Sequence, residues 1–202
     1  MDVLGGRLAP IVLPLRTPRL SLRLQKPSDA PVLVRYINHP NVVAGLAIEP
    51  RRYTLSDELR FVRGNRRAAR AGERLTLAIT LRSTEELIGD ISLGFPAGAH
   101  LRAGLGYWLA PRHWHQGYGS EAASIVCRTA FEVLKVHRVE ASVFESNPRS
   151  MALLRSLGFK KEGHRREVRK LLGGWEGEVV FGLLSREFRP SRARMSASTM
   201  AR

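Results

Sequence analysis

From Arg19 to Leu24 apolar and polar residues alternate, with Leu20, Leu22 and Leu24 on one side, the two-residue period of a strand. Ser28 and Asp29 then open a helix to about Asn38, stopped by Pro40. Thr54 and Asp57 have capping-box spacing, and Leu55, Leu59 and Val62 give one apolar face to a helix through about Ala71. Three strand-like runs come next, at Leu75–Leu81, Glu86–Phe95 and Leu101–Leu109. Their linkers, residues 82–85 and 96–100, are hairpin-sized, which makes this half of the chain antiparallel.

The grammar then changes. A turn at Gln116-Gly117-Tyr118-Gly119 leads into a helix to about Leu134, with Ala122, Ile125, Val126 and Val133 expected inward. Arg138–Val143 reads as a strand. Asn147 is an N-cap followed by Pro148 at the first helical position, and this helix ends at Leu157-Gly158. Phe159 onward and Glu178–Leu184 read as two final strands, with Gly173-Gly174 as their turn. The order β-α-α-β-β-β-α-β-α-β-β predicts an α+β fold on a mixed sheet. Residues 1–15 lack periodicity and are expected as an N-terminal arm, residues 16–188 as one domain. Residues 189–202, with four arginines and no acid, are expected as a basic disordered tail.

Composition narrows the classes. Hydrophobic content of 44% and charged content of 25% over 202 residues are those of an average globular chain, not of a disordered, collagen-like or coiled-coil one. Cys127 is the single cysteine, so no internal disulfide forms, and no Cys/His cluster has zinc spacing. These point to a reducing compartment and no structural metal. No segment approaches the ~18 apolar residues of a membrane span. The apolar stretch Leu8–Leu15 is interrupted by Pro10 and Pro14, with no small-residue cleavage site after it, so a cytoplasmic location is expected. Charge is the unusual quantity: 33 basic residues against 18 acidic ones give +15. Such a surplus attracts polyanions, whether nucleic acid, ribosome, anionic membrane or a phosphate-rich ligand, and does not choose among them.

The segment Gly117-Tyr118-Gly119-Ser120-Glu121-Ala122 comes after a strand and opens a helix. Two glycines let the backbone curl until its N–H groups converge, and a helix N-terminus adds partial positive charge, so the turn suits a phosphate or pyrophosphate. The spacing also matches a dinucleotide fingerprint, with Glu140 about 20 residues on. A dinucleotide fold needs further parallel βαβ units, however, and here three antiparallel strands come first. The dinucleotide reading is therefore set aside.

At these residues the chain resembles the GNAT superfamily of acyl-CoA N-acyltransferases, in the ribosomal-protein N-terminal acetyltransferase (RimJ/RimL-like) branch. Four landmarks carry the resemblance in order. They are Thr17-Pro18-Arg19-Leu20-Ser21-Leu22-Arg23; Gly106-Tyr107-Trp108-Leu109-Ala110-Pro111 running into Gln116–Ala122; Asn147-Pro148-Arg149-Ser150 through Leu157-Gly158-Phe159; and Gly174-Trp175. The resemblance implies a GNAT fold whose mostly antiparallel sheet splays into a V, and an acetyl-CoA-dependent N-acetyltransferase. A primary amine, on a protein N-terminus or a small molecule, would attack directly in a ternary complex. It further implies coenzyme A pyrophosphate on the amides of His115, Gln116, Gly117, Tyr118, Gly119 and Ser120, and pantetheine along the backbone of Trp108, Leu109 and Ala110. Trp114 stands where the superfamily usually has Gln or Arg. Ser150 matches the donor to the leaving sulfur, and Asn147 a residue that bonds the cofactor arm.

The base is left open. Direct attack needs no protein nucleophile, and Cys127 reads as a mid-helix core residue. Relatives often carry acids where this chain has Gly104 and Gly177. Glu178, Glu167, His113, His115 or a water chain remain candidates. Arg51, Arg52, Arg63, Arg66, Arg67, Arg70, Arg165, Arg166 and Arg169 suit an acidic or ribosome-associated acceptor. Two other classes stay in view: a catalytically weak acyl-CoA-binding or regulatory module, and a basic RNA- or ribosome-associated protein. A homodimer is also compatible with the sequence.

Overall fold

Alternation along the strands builds a sheet with two unlike faces, and the unlike faces decide where the site lies. The computed structural model describes residues 4–46, 52–98, 101–171 and 174–189. Its eight strands are β1 (Leu15–Arg16), β2 (Leu20–Leu24), β3 (Arg74–Leu81), β4 (Leu87–Gly94), β5 (Arg102–Leu109), β6 (Arg138–Phe144), β7 (Lys160–Leu171) and β8 (Gly174–Leu184). They lie in the order β1-β2-β3-β4-β5-β6-β8-β7. Every neighbouring pair is antiparallel except β5–β6, which is parallel. The α+β architecture and the mixed sheet are thus as the sequence predicts.

One face carries the main core. Leu20, Leu22, Leu77, Ile91, Leu93, Val139, Phe181 and Leu183 meet Ala122, Ala123, Val126 and Leu154 there. The last four come from α4 (Tyr118–Arg128) and α5 (Pro148–Ser156). The helix expected to reach Leu134 departs from α-geometry at Thr129, where Leu134 N–H bonds to Thr129 O in a π-turn over Thr129–Val133. The extra residue in the turn shifts the helical phase from that point on. Val133, expected inward, is therefore exposed, and Phe131 is buried instead.

The other face is covered over β3 and β4 by α1 (Ala30–Ile37) and α3 (Leu55–Ala71), and α2 (Pro40–Val43) packs against α1. The Thr54–Asp57 capping box forms: Asp57 N–H donates to Thr54 Oγ1 at 3.2 Å and Thr54 N–H to Asp57 Oδ2 at 2.9 Å. A small cluster of Leu33, Ile37, Ala78 and Leu87 seals this side against Trp108. Ahead of β1, residues 4–11 are seated: Leu4, Leu8 and Ile11 enter the main core, and Gly5 N–H bonds to Ala69 O at 3.1 Å. A Cβ on Gly5 would lie 1.9 Å from the Arg70 carbonyl oxygen, so only glycine allows this approach. The expected tail from residue 190, together with Arg51 and Gly173, lies outside the described residues. Among the described residues no His/Cys/Asp/Glu group could hold a metal ion, and no helix is long and apolar enough to cross a membrane.

Under α3 lies a buried polar layer. Asn65 Nδ2 donates to Gln25 Oε1 at 2.7 Å, and Gln25 Nε2 to Asp90 Oδ2 at 3.2 Å. Burial, with the charge of Glu58 beside it, raises the Asp90 carboxyl to about 7; Trp108 and Gln25 as donors pull the other way. Burial likewise raises Glu58 to about 7, against the Tyr53 hydroxyl. Unfolded, both carboxyls ionise near pH 4; folded, they hold their protons to about pH 7. Stability therefore falls as pH rises from about 4 to 7 and stays low above it. Glu58→Gln should raise stability at pH 8 by about 1–3 kcal/mol and leave it nearly unchanged at pH 4. Urea midpoints at the two pH values measure this.

Candidate active site

The site begins where two strands part. β5 pairs with β6 only at Arg102–Gly104 against Arg138–Glu140, whereas it stays bonded to β4 through Leu109. Beyond Gly104, β5 turns an edge of unpaired backbone N–H and C=O groups toward the gap, groups that a strand-like ligand satisfies. A cleft of about 550 Å³ opens there, walled by Tyr107, Trp108 and Leu109 on β5, by α5, and by Val42 and Leu46 at α2.

The glycine turn closes one end of the cleft. His115 and Gly117 adopt left-handed φ values of 60° and 78°, and α4 starts at Tyr118 with Glu121 N–H bonding to Gly117 O at 3.0 Å. The amides of Tyr118, Gly119 and Ser120 precede that first bond and are left without intrahelical partners. Glu121 seats the turn from below. It accepts from Thr17 Oγ1 at 2.5 Å, from Arg19 N–H at 3.0 Å and from Arg19 Nε at 2.7 Å. Arg19 also donates to Gln116 O at 2.8 Å and lies over the Tyr118 ring. A Cβ on Gly119 would stand 2.8 Å from Leu153 Cδ1, so α5 rests directly on the turn.

The middle of the cleft is a hydroxyl pair. Asn147 caps α5 by accepting from Ser150 N–H at 3.1 Å, which fixes Ser150 in the first turn. Ser150 Oγ lies 2.9 Å from the Tyr107 hydroxyl, and burial raises that phenol to about 12. A second cavity of about 220 Å³ adjoins, lined among others by Gly106, Ser142, Phe144 and Glu178. Tyr107, Asn147 and Ser150 line both spaces and form their junction. Arg165 donates to Ser142 Oγ at 3.0 Å and forms an ion pair with Glu178.

Of the residues expected from the sequence, Trp108, Leu109, His115, Gly117, Gly119, Ser120, Asn147 and Ser150 line the cleft. Ala110, Gln116 and Tyr118 turn elsewhere: Ala110 is fully buried, Gln116 Nε2 bonds back to Arg112 O at 2.9 Å, and Tyr118 packs under Arg19. Tyr107 is the cleft residue to which sequence reasoning assigns no role, though its position between Leu105 and Leu109 in the alternation places it on the cleft side. Among the base candidates, Glu178 faces the second cavity. His115 lines the cleft, His113 is buried against Glu86 at 3.1 Å, and Glu167 sits at the irregular part of β7 with φ 51°. At Gly177 the space is taken by an acid from the end of β6. A Cβ there would lie 2.9 Å from Glu145 Oε2, which holds His164 at 2.6 Å. Arg52, Arg66 and Arg169 make contacts within the chain, and Arg165 is committed to Glu178.

Comparison with known proteins converges on one family. Residues 19–160 match the family model of the acetyltransferase (GNAT) domain. The uncharacterized N-acetyltransferase p20 of Bacillus licheniformis is 33% identical over 175 residues, 86% of this chain and 97% of that protein. The [ribosomal protein uS5]-alanine N-acetyltransferase of Escherichia coli is 31% identical over 88 residues, 44% of this chain and 45% of that one. In fold, the chain superposes on Mycobacterium smegmatis RimJ, solved in complex with a CoA-disulfide, with a TM-score of 0.75 over 83% of each chain at 24% identity. The chain belongs to the GNAT acetyltransferase family and is an acetyl-CoA-dependent acetyltransferase.

The Glu121 clamp sets a test of how the turn is held. Glu121→Ala should remove all three bonds at once and lower stability by about 1–2 kcal/mol, with Glu121→Gln losing less. Chemical denaturation of the two variants beside the parent measures the difference.

Proposed function

We propose that the protein transfers an acetyl group from acetyl-CoA to a primary amine by direct attack in a ternary complex. One observation carries this reading: the cleft and the second cavity meet at the Tyr107–Ser150 pair, so two ligands entering from opposite sides touch there. The fit to coenzyme A rests on the free amides at residues 118–120, the left-handed Gly117 and the unpaired edge of β5. His115 through Ser120 would hold the pyrophosphate, Trp108, Leu109 and Ala110 the pantetheine, and Asn147 its amide arm. Bound acetyl-CoA supplies the activated carbonyl.

The protein's own groups then manage protons. The amine must be neutral to attack, and Glu178 takes its proton, directly or through one water. As the new C–N bond formed, the nitrogen would release its second proton to water, the C–S bond would break and its electron pair would leave on sulfur. Ser150 Oγ–H donates to that sulfur. Tyr107, whose phenol stays protonated, donates to Ser150 in turn, so the hydroxyl's hydrogen is free for the leaving group. The thiol finally carries the proton that solvent or Glu178 returns. The acceptor is a protein N-terminus or a small-molecule amine. The E. coli relative's action on a ribosomal protein and the chain's net charge of +15 support a ribosome-associated acceptor in the cytoplasm.

Acetyl-CoA at ~100 times its dissociation constant should add about 2.7 kcal/mol to stability, a melting rise of a few degrees that NAD and polyphosphate do not reproduce. No rise, or an equal one with polyphosphate, refutes the cofactor site. Ser150→Ala and Glu178→Gln should each lower kcat/KM by on the order of 10–10² while keeping that rise. Steady-state kinetics on a panel of peptide N-termini and simple amines reads it.

A further inference from the structure

On the side of the sheet that carries Glu178, a strip of β4 and β5 is made of three glycines and Ser92. Ser92 pairs with Gly106 and Gly94 with Gly104 across the two strands, and alternate residues of a strand share a face. Gly94, Gly104 and Gly106 therefore floor one strip. A Cβ at Gly94 would have nothing within 4 Å, and one at Gly104 only the Gly94 carbonyl oxygen at 3.9 Å, whereas one at Gly106 would meet Ser92 Oγ at 3.1 Å. Where this fold needs glycine for close packing the same measure is far shorter, 2.2 Å at Gly89. Nor does conformation demand glycine here: none of the three has positive φ. Glycine inside a strand weakens it by roughly 0.5–1 kcal/mol relative to alanine, a cost that packing and backbone geometry do not explain at Gly94 and Gly104.

The strip has two ends. Its inner end, at Gly106, opens into the second cavity beside Ser142, Arg165 and Glu178. Gly104 lies roughly 7 Å further along, flanked on β6 by Glu140, which Arg102 and Arg138 hold. The main contacts of α1 and α3 with the sheet run to β4 and β3, and on β5 the α1 cluster of Leu33 and Ile37 meets Trp108, two residues past the Gly106 end of the strip.

We infer that Gly94, Gly104 and Gly106 form a trough for the body of the acceptor, and that they select an extended, chain-like acceptor over a compact amine. The inference rests on the transfer reading above. An acceptor laid on the glycines keeps its amine at Glu178 and its next carbonyl or carboxylate within reach of the Arg165 and Ser142 donors. A compact amine leaves the outer strip unused and gains nothing from it.

Gly104→Cys tests the trough directly, because the native thiol is silent: Cys127 is fully buried and burial raises it to about 12. The introduced thiol should react with N-ethylmaleimide within about tenfold of the rate of glutathione; protection beyond ~100-fold overturns the trough. The alkylated variant should keep the melting rise with acetyl-CoA. It should lose at least ~10-fold in kcat/KM for Ala-Gly-Gly-Gly-amide and less than ~2-fold for alaninamide. Equal loss on both, or loss on neither, overturns the inference. If the parent protein acetylates neither amine, the transfer reading fails by itself, and labelling decides the trough. Slowing by millimolar tetrapeptide but not by alaninamide supports it; no selective slowing refutes it. Gly94→Cys, across the same pair, serves if Gly104→Cys misfolds.

Discussion

The parting of β5 and β6 is the constraint on which the rest depends. Three residue pairs hold the two strands in parallel, and then β5 keeps its bonds to β4 while losing those to β6. Backbone polar groups facing a gap are costly unless something answers them. Here they border a cleft that a linear ligand can fill, so the split in the sheet is also the edge that the proposed cofactor would meet. The parallel pairing itself is what requires α4 as a crossover, and that crossover brings the glycine turn to the mouth of the split. One topological feature thus places both the edge and the turn.

Rigidity around the split comes from unlike sources. The turn is fixed by charge, through Glu121 gripping Thr17 and Arg19 in the connection between β1 and β2. The hydroxyl pair is fixed by a cap, since Asn147 holds the first turn of α5 and with it Ser150. The helices over β3 and β4 rest partly on a polar layer whose carboxyls keep their protons near neutrality. Removing water from two carboxyls in that layer works against stability at the pH where the cleft has to be shaped. The fold tolerates this beside Trp108, a wall of the cleft, whose indole serves Asp90 as a donor.

The sequence made the elements legible where period and punctuation agreed. Strict alternation marked the strands, Thr54 and Asp57 the start of α3, and Asn147-Pro148 the start of α5. The glycine turn was legible because glycine spacing before a helix has few uses. What could not be read depended on contacts between distant segments. Tyr107 became notable only because α5 brings Ser150 against it. The displacement of Val133 came from a single widened turn, which no periodicity signals beforehand. Leu4, Leu8 and Ile11 have no repeat because each enters the core from an irregular backbone. Glu178 could not be separated from its alternatives until the register of β8 against β6 turned it toward the second cavity.

The geometry at Gly177 reaches beyond this molecule. Glu145 and Gly177 are joined twice through the backbone of one and the other, and the Glu145 carboxylate fills the space that a side chain at position 177 would need. Position 177 therefore accepts a side chain only if Glu145 and His164 give way. One position lies on β8 and the other just past β6, far apart in the chain, yet they must change together. A chimera that takes β8 from a relative with an acid at that position and leaves the end of β6 as it is would inherit a collision, not an added charge.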